Sequence, residues 1–159
     1  MPDEDEKTDE RFMREALRQA RMAGARGEVP IGAVVVRQGS ILAGGYNRPV
    51  MTQDPTAHAE VVAIRKAARK TGNYRLRGCD LYVTVEPCAM CLGALLQARI
   101  RRLVYGADDP KAGVVRSIIR FPVEKTNHSP DLRGGILADE SARLLRDFFR
   151  ALRRKSAAG

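Results

Sequence analysis

Apolar residues first recur at helical spacing near the start of the chain. Phe12, Met13, Ala16, Leu17, Ala20 and Ala23 fall on one face, which predicts an amphipathic helix over residues 9–25. Arg26-Gly27-Glu28 ends it. Two β-rich runs follow, residues 31–36 and 41–46, separated by Arg37-Gln38-Gly39-Ser40, so a hairpin with a glycine-containing turn is expected. A loop with Pro49, Asp54 and Pro55 leads into a helix over residues 58–70, closed by Gly72-Asn73. Residues 81–85 form a short strand of the buried type. Pro87 stands where a first-turn proline belongs, opening a helix to about residue 98. Residues 100–105 read as another strand. Residues 107–135 carry mixed signals and two or more turn formers. A last helix, over 138–154, shows an apolar stripe of Ser141, Leu144, Leu145, Phe148, Phe149 and Leu152.

Strand–helix–strand units imply parallel neighbours, while the opening hairpin supplies an antiparallel pair. The sheet is therefore expected to be mixed, with helices on both faces: a three-layer α/β/α domain. The domain is placed at residues 11–155, after an acidic flexible lead-in over 1–10 and before a short tail at 156–159. A chain of 159 residues is long enough for one such core. No stretch has the uninterrupted apolar length of a membrane span. The start, Met1-Pro2-Asp3-Glu4-Asp5-Glu6, is the opposite of a basic-then-apolar leader, and three cysteines do not make a disulfide framework. The expected setting is cytoplasmic.

Charge narrows the picture. The net charge is +9, yet residues 1–10 hold six acids against one Lys. The remaining body carries 27 basic and 13 acidic residues, a net +14. Such an excess favours a polyanionic partner, because phosphates neutralised by Lys and Arg release their counterions. Part of it is solvated helix surface in any basic protein.

Two short segments carry the chemistry: His58-Ala59-Glu60 and Pro87-Cys88-Ala89-Met90-Cys91. With only Cys79 besides, a four-thiolate structural zinc site is ruled out. A redox Cys-x-x-Cys pair at a helix start is an alternative, but leaves His58-x-Glu60 without a role. Cys88 and Cys91 share one face of a first helical turn, where the helix N-terminus favours thiolates. His58 and Glu60, two apart, reach one site only if it lies over the end of their helix. The expected arrangement is two helix tips facing one Zn2+ per chain, held by His58, Cys88 and Cys91. Three protein ligands leave a fourth position for water, the mark of a catalytic zinc. Two thiolates cancel the ion's formal charge, so a separate carboxylate, Glu60, is needed to carry the proton. A structural zinc with Glu60 as a bystander is the bland alternative.

His-x-Glu followed by Pro-Cys-x-x-Cys resembles the signature of the zinc-dependent nucleoside and nucleobase deaminases, the cytidine deaminase-like superfamily. Within it the chain is similar to the bacterial tRNA-specific adenosine deaminases. That likeness runs through Glu28-Val29-Pro30-Ile31-Gly32-Ala33-Val34, Tyr46-Asn47-Arg48-Pro49, Asp54-Pro55-Thr56-Ala57-His58-Ala59-Glu60, residues 81–91, and Gly135-Ile136-Leu137-Ala138-Asp139-Glu140. The resemblance implies a central sheet of five strands and hydrolytic deamination of adenosine to inosine at the first anticodon position of tRNA. Zinc-activated water would attack C6, with Glu60 protonating the ring nitrogen and then the departing ammonia. It further implies that Asn47 bonds the flipped nucleotide, Val29 helps sandwich the base, and the Ala59 N–H orients the ring. Asp109 and Lys111 would touch the anticodon loop, and the enzyme would be a homodimer on the tRNA anticodon stem-loop.

Two departures stand out. Gly113 is followed by Val114-Val115-Arg116, where relatives carry smaller residues, and Pro130 falls where they run an edge strand. Proline cannot donate to a ladder, so that edge is expected to be short or bulged. Cys79 is read as a buried small hydrophobe, and His128 as a loop residue. Glu86 is a rival carboxylate, but its place before Pro87 suggests that it contributes its backbone. The cluster Arg143, Arg146, Arg150, Arg153, Arg154 and Lys155 is mostly solvated face, part of which could track phosphate. Two other functions stay open: deamination of a free base or nucleotide, and a non-catalytic zinc-stabilised RNA-binding module.

Overall fold

The computed structural model describes residues 2–158. Its elements run α1 (Glu4–Ala25), β1 (Gly32–Arg37), β2 (Ser40–Tyr46), α2 (Pro49–Thr52), α3 (Ala59–Thr71), β3 (Cys79–Val85), α4 (Ala89–Gln97), β4 (Arg102–Ala107), a 3-10 turn (Val123–Lys125), β5 (Asp131–Arg133) and α5 (Ala138–Ala158). The five strands lie in the order β2-β1-β3-β4-β5. β1 is antiparallel to both β2 and β3, whereas β3–β4 and β4–β5 are parallel. The expected mixed, five-stranded, three-layer α/β/α fold is the one observed.

The period-two alternation of the strands sorts the core into two halves. Ala33 and Val35, Leu81 and Val83, and Leu103 and Tyr105 pack with Ala59, Ala63, Leu92 and Leu95 of α3 and α4. Their neighbours Val34, Val36, Tyr82 and Val104 point the other way, against Phe12, Met13, Ala16 and Leu17 of α1. Because both faces are covered, β3 is buried along its whole length. The β1–β2 connection is tighter than the four-residue spacing suggests: Gln38 (φ 50°) and Gly39 (φ 76°) form a two-residue turn between Arg37 and Ser40. Both residues have positive φ, the conformation that matches the twist of a hairpin.

Several boundaries differ from expectation. The lead-in over 1–10 is not a loose tail, since α1 starts at Glu4, with the Asp3 side chain capping the Glu6 N–H at 2.7 Å. Asp9 lies within this helix and is 1% exposed. Its carboxylate accepts from Tyr82 (2.8 Å), Arg102 (2.7 and 2.6 Å) and Arg133 (3.0 Å), tying α1 across β3, β4 and the end of β5. Pro87 is not the first residue of α4; Cys88 caps that helix in extended conformation (φ −78°, ψ 175°), and Pro87 precedes the cap. Pro130 stops the last strand short: β5 has three residues and begins immediately after it. At the other end the tail over 156–159 is helical through Ala158. The apolar stripe of α5 is covered only at its start, where Ser141 is buried, while Phe149 and Leu152 are 40% and 51% exposed. The helix runs past the sheet, so its second half has no core beneath it. No described helix is long and apolar enough to cross a membrane.

Candidate active site

His58 and Cys88 occupy equivalent places: each is the extended N-cap residue of a helix, α3 and α4 respectively. Cys91 follows in the first turn of α4. The two tips converge, bringing His58 Nδ1 to 3.6 Å from Cys88 Sγ and 3.5 Å from Cys91 Sγ. All three donor atoms lie within 4.8 Å of one another. A tetrahedral zinc with N and S bonds of ~2.0–2.3 Å holds such ligands ~3.6 Å apart along each edge of the tetrahedron. The spacing and donor set therefore fit a zinc ion, and no fourth His, Cys, Asp or Glu joins the group among the described residues.

Without an ion, the charges redistribute among the same groups. Hydrogen bonds from Cys91 and His58 pull the Cys88 thiol down to about 4. Donation to Cys88, with burial adding to it, pushes Cys91 up. The bond with Cys88 raises His58 in turn. Hydrogen bonding thus favours an anionic sulfur at Cys88 beside the ring nitrogen of His58, a donor set of the kind that binds zinc. Glu60, on the second residue of α3, is 4% exposed. Burial, with the nearby Cys88 thiolate, pushes its carboxyl up to about 7. A carboxyl so placed takes and returns a proton near neutral pH.

His58, Glu60 and Cys88 line a cavity of about 80 Å³ together with Ile31, Asn47, Val85, Glu86, Asp109 and Ala112, while Cys91 is buried behind it. It shares Ile31, Val85, Asp109 and Ala112 with a groove of about 670 Å³ that runs out to Leu145, Arg146, Phe149, Arg150 and Arg153 of α5. The inner cavity takes small groups; anything of nucleotide size must lie along the groove.

The sequence-predicted residues fall as follows. His58, Cys88, Cys91 and Glu60 are brought together as expected. Asn47 is at the cavity wall, but its Oδ1 accepts the Ala59 N–H at 2.8 Å. The Ala59 N–H, expected to orient a ring, is thus already engaged, and Ala59 itself is fully buried. The physical reason is that it is one of the orphan donors at the start of α3, and His58 offers no side-chain cap. Val29 lines the groove, as do Asp109 and Lys111. Asp109 Oδ1 accepts from the Lys111 and Ala112 N–H groups, shaping its own turn.

Sequence reasoning misjudged Glu86. Its backbone N–H does pair, with the Ala107 carbonyl, but its carboxylate is the busier part, accepting from the N–H groups of Asp109, Val115, Arg116 and Ser117. Burial opposes its ionisation, and those bonds, from Arg116 foremost, more than offset it, so its carboxyl stays below the usual range. Glu28 was also missed: it is 2% exposed and holds the Val50 and Met51 N–H groups at 3.3 and 2.7 Å. The available signal was an acidic residue at the end of an otherwise apolar run. Arg146, Arg150 and Arg153, read mostly as solvated, recur at helical spacing along the groove.

Comparison with known proteins agrees with this geometry. The pattern of the MafB19-like deaminases matches residues 7–153. A tRNA-specific adenosine deaminase of Agrobacterium fabrum is 53% identical over 143 residues, covering 89% of this chain and 94% of that protein. The Bacillus subtilis protein of the same name is 42% identical, covering 94% of each. A solved structure from a study of A-to-I editing by tRNA:A34 deaminases at the wobble position superposes with a TM-score of 0.82 at 52% identity, over 85% of this chain and 99% of that one. A guanine deaminase from Nitrosomonas europaea gives 0.73 at 28% identity, over 87% and 83%.

Proposed function

The chain belongs to the tRNA-specific adenosine deaminases, among the MafB19-like deaminases, and from that membership we propose that His58, Cys88 and Cys91 hold one zinc ion per chain while Glu60 carries the proton. The enzyme hydrolyses adenosine to inosine at the wobble position of tRNA. The observation that carries the assignment of residues is the convergence of one imidazole and two sulfurs beside a buried carboxyl.

A zinc ion at this site would supply the Lewis acidity that activates water toward C6 of the purine. Glu60 accepts the first proton of the attacking water and passes it to the ring nitrogen, then takes the second from the hydroxyl added at C6 and gives it to the amino group, which leaves as ammonia. Water and adenosine thus become inosine and ammonia. Its burial matters here, because bulk water would hold the carboxyl ionised and unable to donate. Asn47 fixes the tip of α3 through Ala59 and has its amide nitrogen left for the flipped nucleotide. Val29 and Ile31 offer apolar surface to the base, and Asp109 and Lys111 border the path of the anticodon loop. Arg146, Arg150 and Arg153 lie where the flanking phosphates would run.

A cytoplasmic homodimer is part of the same reading. Val50, Met51, Ile118 and Ile119, 50% to 77% exposed, are the apolar side chains such a dimer would cover. The test is direct: purified protein is incubated with an anticodon stem-loop bearing adenosine at its first position, with and without a chelator, and inosine is measured. Turnover of free guanine with none on the RNA would favour the other deaminase reading. No inosine from the wild type, with zinc content and RNA binding unchanged in Glu60→Ala, would favour a non-catalytic zinc module.

A further inference from the structure

The reaction pocket has one wall that belongs to no strand or helix. Residues 109–117 supply Asp109 and Ala112 to it, yet this segment crosses from β4 without regular pairing of its own. Four of its N–H groups and one hydroxyl converge on a single side chain. Glu86 Oε1 accepts from the Asp109 N–H at 3.0 Å and from the Ser117 hydroxyl, and Oε2 accepts from the N–H groups of Val115 (3.0 Å), Arg116 (2.8 Å) and Ser117 (3.0 Å). Gly113, Val114 and Val115 are buried, and a segment turned inward with that many unpaired donors is unstable unless an acceptor meets them; a carboxylate meets the most at once. Gly113 completes the fit, because any Cβ there would overlap the carboxyl group of Glu86.

The position of Glu86 in the chain gives this arrangement its meaning. It ends the buried run of β3 and stands two residues before Cys88, and the carbonyl of Pro87 between them accepts the Val114 N–H at 3.1 Å. One short stretch therefore carries Cys88 on one side and anchors the pocket wall on the other. We propose that Glu86 is a positioning residue that locks residues 109–117 as the substrate-binding wall of the site, setting how well the RNA is held and leaving the proton transfer itself to Glu60. This rests on the deaminase reading above for its substrate.

The experiment compares wild type with Glu86→Gln and Ser117→Ala in three measurements on the full chain. The first is amide hydrogen exchange by mass spectrometry, the second kcat and KM on the anticodon stem-loop, and the third zinc per chain by elemental analysis. Glutamine keeps the shape but turns an NH2 group toward the donors that one carboxylate oxygen had met, two at Oε1 or three at Oε2. For Glu86→Gln, exchange across 109–117 is expected to quicken by ~10-fold or more while peptides of β1 and α1 keep their rates. KM should rise on the order of 10-fold with kcat within about threefold, and zinc should stay at one per chain. Ser117→Ala, which removes one of the five bonds, should move exchange and KM the same way by ~2- to 5-fold, and it decides the matter if the glutamine variant does not fold. Unchanged exchange in 109–117 would overturn the proposal, as would a fall in kcat at constant KM, or loss of zinc with the loss of binding. Inactivity of the wild type on RNA would instead sink the deaminase reading, and the exchange measurement would still decide whether Glu86 holds the wall.

Discussion

Replacing Asp9 tests how the helix that looked like a loose lead-in is tied to the sheet. The carboxylate is 1% exposed and accepts four hydrogen bonds, three of them from the guanidinium groups of Arg102 and Arg133. Removing one partner of a buried ion pair costs ~3–5 kcal/mol, because the remaining charge is left without compensation. Here the two arginine side chains keep 22% and 34% of their exposure, so water can partly replace the lost acceptor. The lower end, ~3 kcal/mol, is the expected loss for Asp9→Ala. With a urea slope of ~2 kcal/mol per molar, that moves the unfolding midpoint down by ~1.5 M at pH 7. The pH dependence adds a second check. Burial opposes ionisation of Asp9, but the bonds from Arg102 and Tyr82 outweigh it, so its carboxyl titrates below the usual range. A group whose folded value is depressed contributes stability above its unfolded value, ~3.9 for Asp, and loses it as pH falls through the folded one. The gap between wild type and Asp9→Ala should therefore be full at pH 7 and shrink below about pH 4. A midpoint shift under ~0.5 M at pH 7, or a gap unchanged down to pH 2, would refute the reasoning.

The remaining predictions concern the site. Glu60→Gln should fold, hold its zinc and lose ~10²- to 10⁴-fold in kcat on the stem-loop, the usual worth of a positioned proton carrier; a loss below tenfold counts against the role given to it. His58→Ala and Cys88→Ala should each empty the metal site, since two remaining donors do not hold zinc against a chelator; one zinc per chain in either variant would refute the ligand set. Arg150→Ala with Arg153→Ala should leave activity at low salt nearly intact. The double variant should also lower the slope of log affinity against log salt by about two, and an unchanged slope would return these side chains to plain solvated surface.

Much of the architecture was legible because it depends on local repetition. The β-rich runs over 31–36 and 81–85 and the helical stripe from Phe12 to Ala23 each bury residues that the pattern already marks. The candidate metal ligands were legible for a related reason. A histidine two residues from a glutamate, and two cysteines one turn apart, are chemically conspicuous and cannot be reached by one ion unless two helix tips meet. Residues 107–135 resisted reading because their order comes from elsewhere in the chain. Beside local turns, the N–H groups of Val114, Val115 and Arg116 go to the Pro87 carbonyl and the Glu86 carboxylate, more than 25 residues back in the chain.

Sequence alone marked the side chains expected to do chemistry and determined which layers the strands and helices would form, since both follow from residue type and spacing. It did not determine what each polar side chain would meet. Asp9 sat in an apparently loose acidic stretch and became a buried anchor; Glu86 stood before a proline and became the post of the pocket wall; Asn47 turned out to hold the Ala59 N–H itself. An acid or amide in the chain carries no mark of whether it will be buried. Only the packed molecule decides that, because a buried carboxylate survives solely where distant segments bring it enough donors.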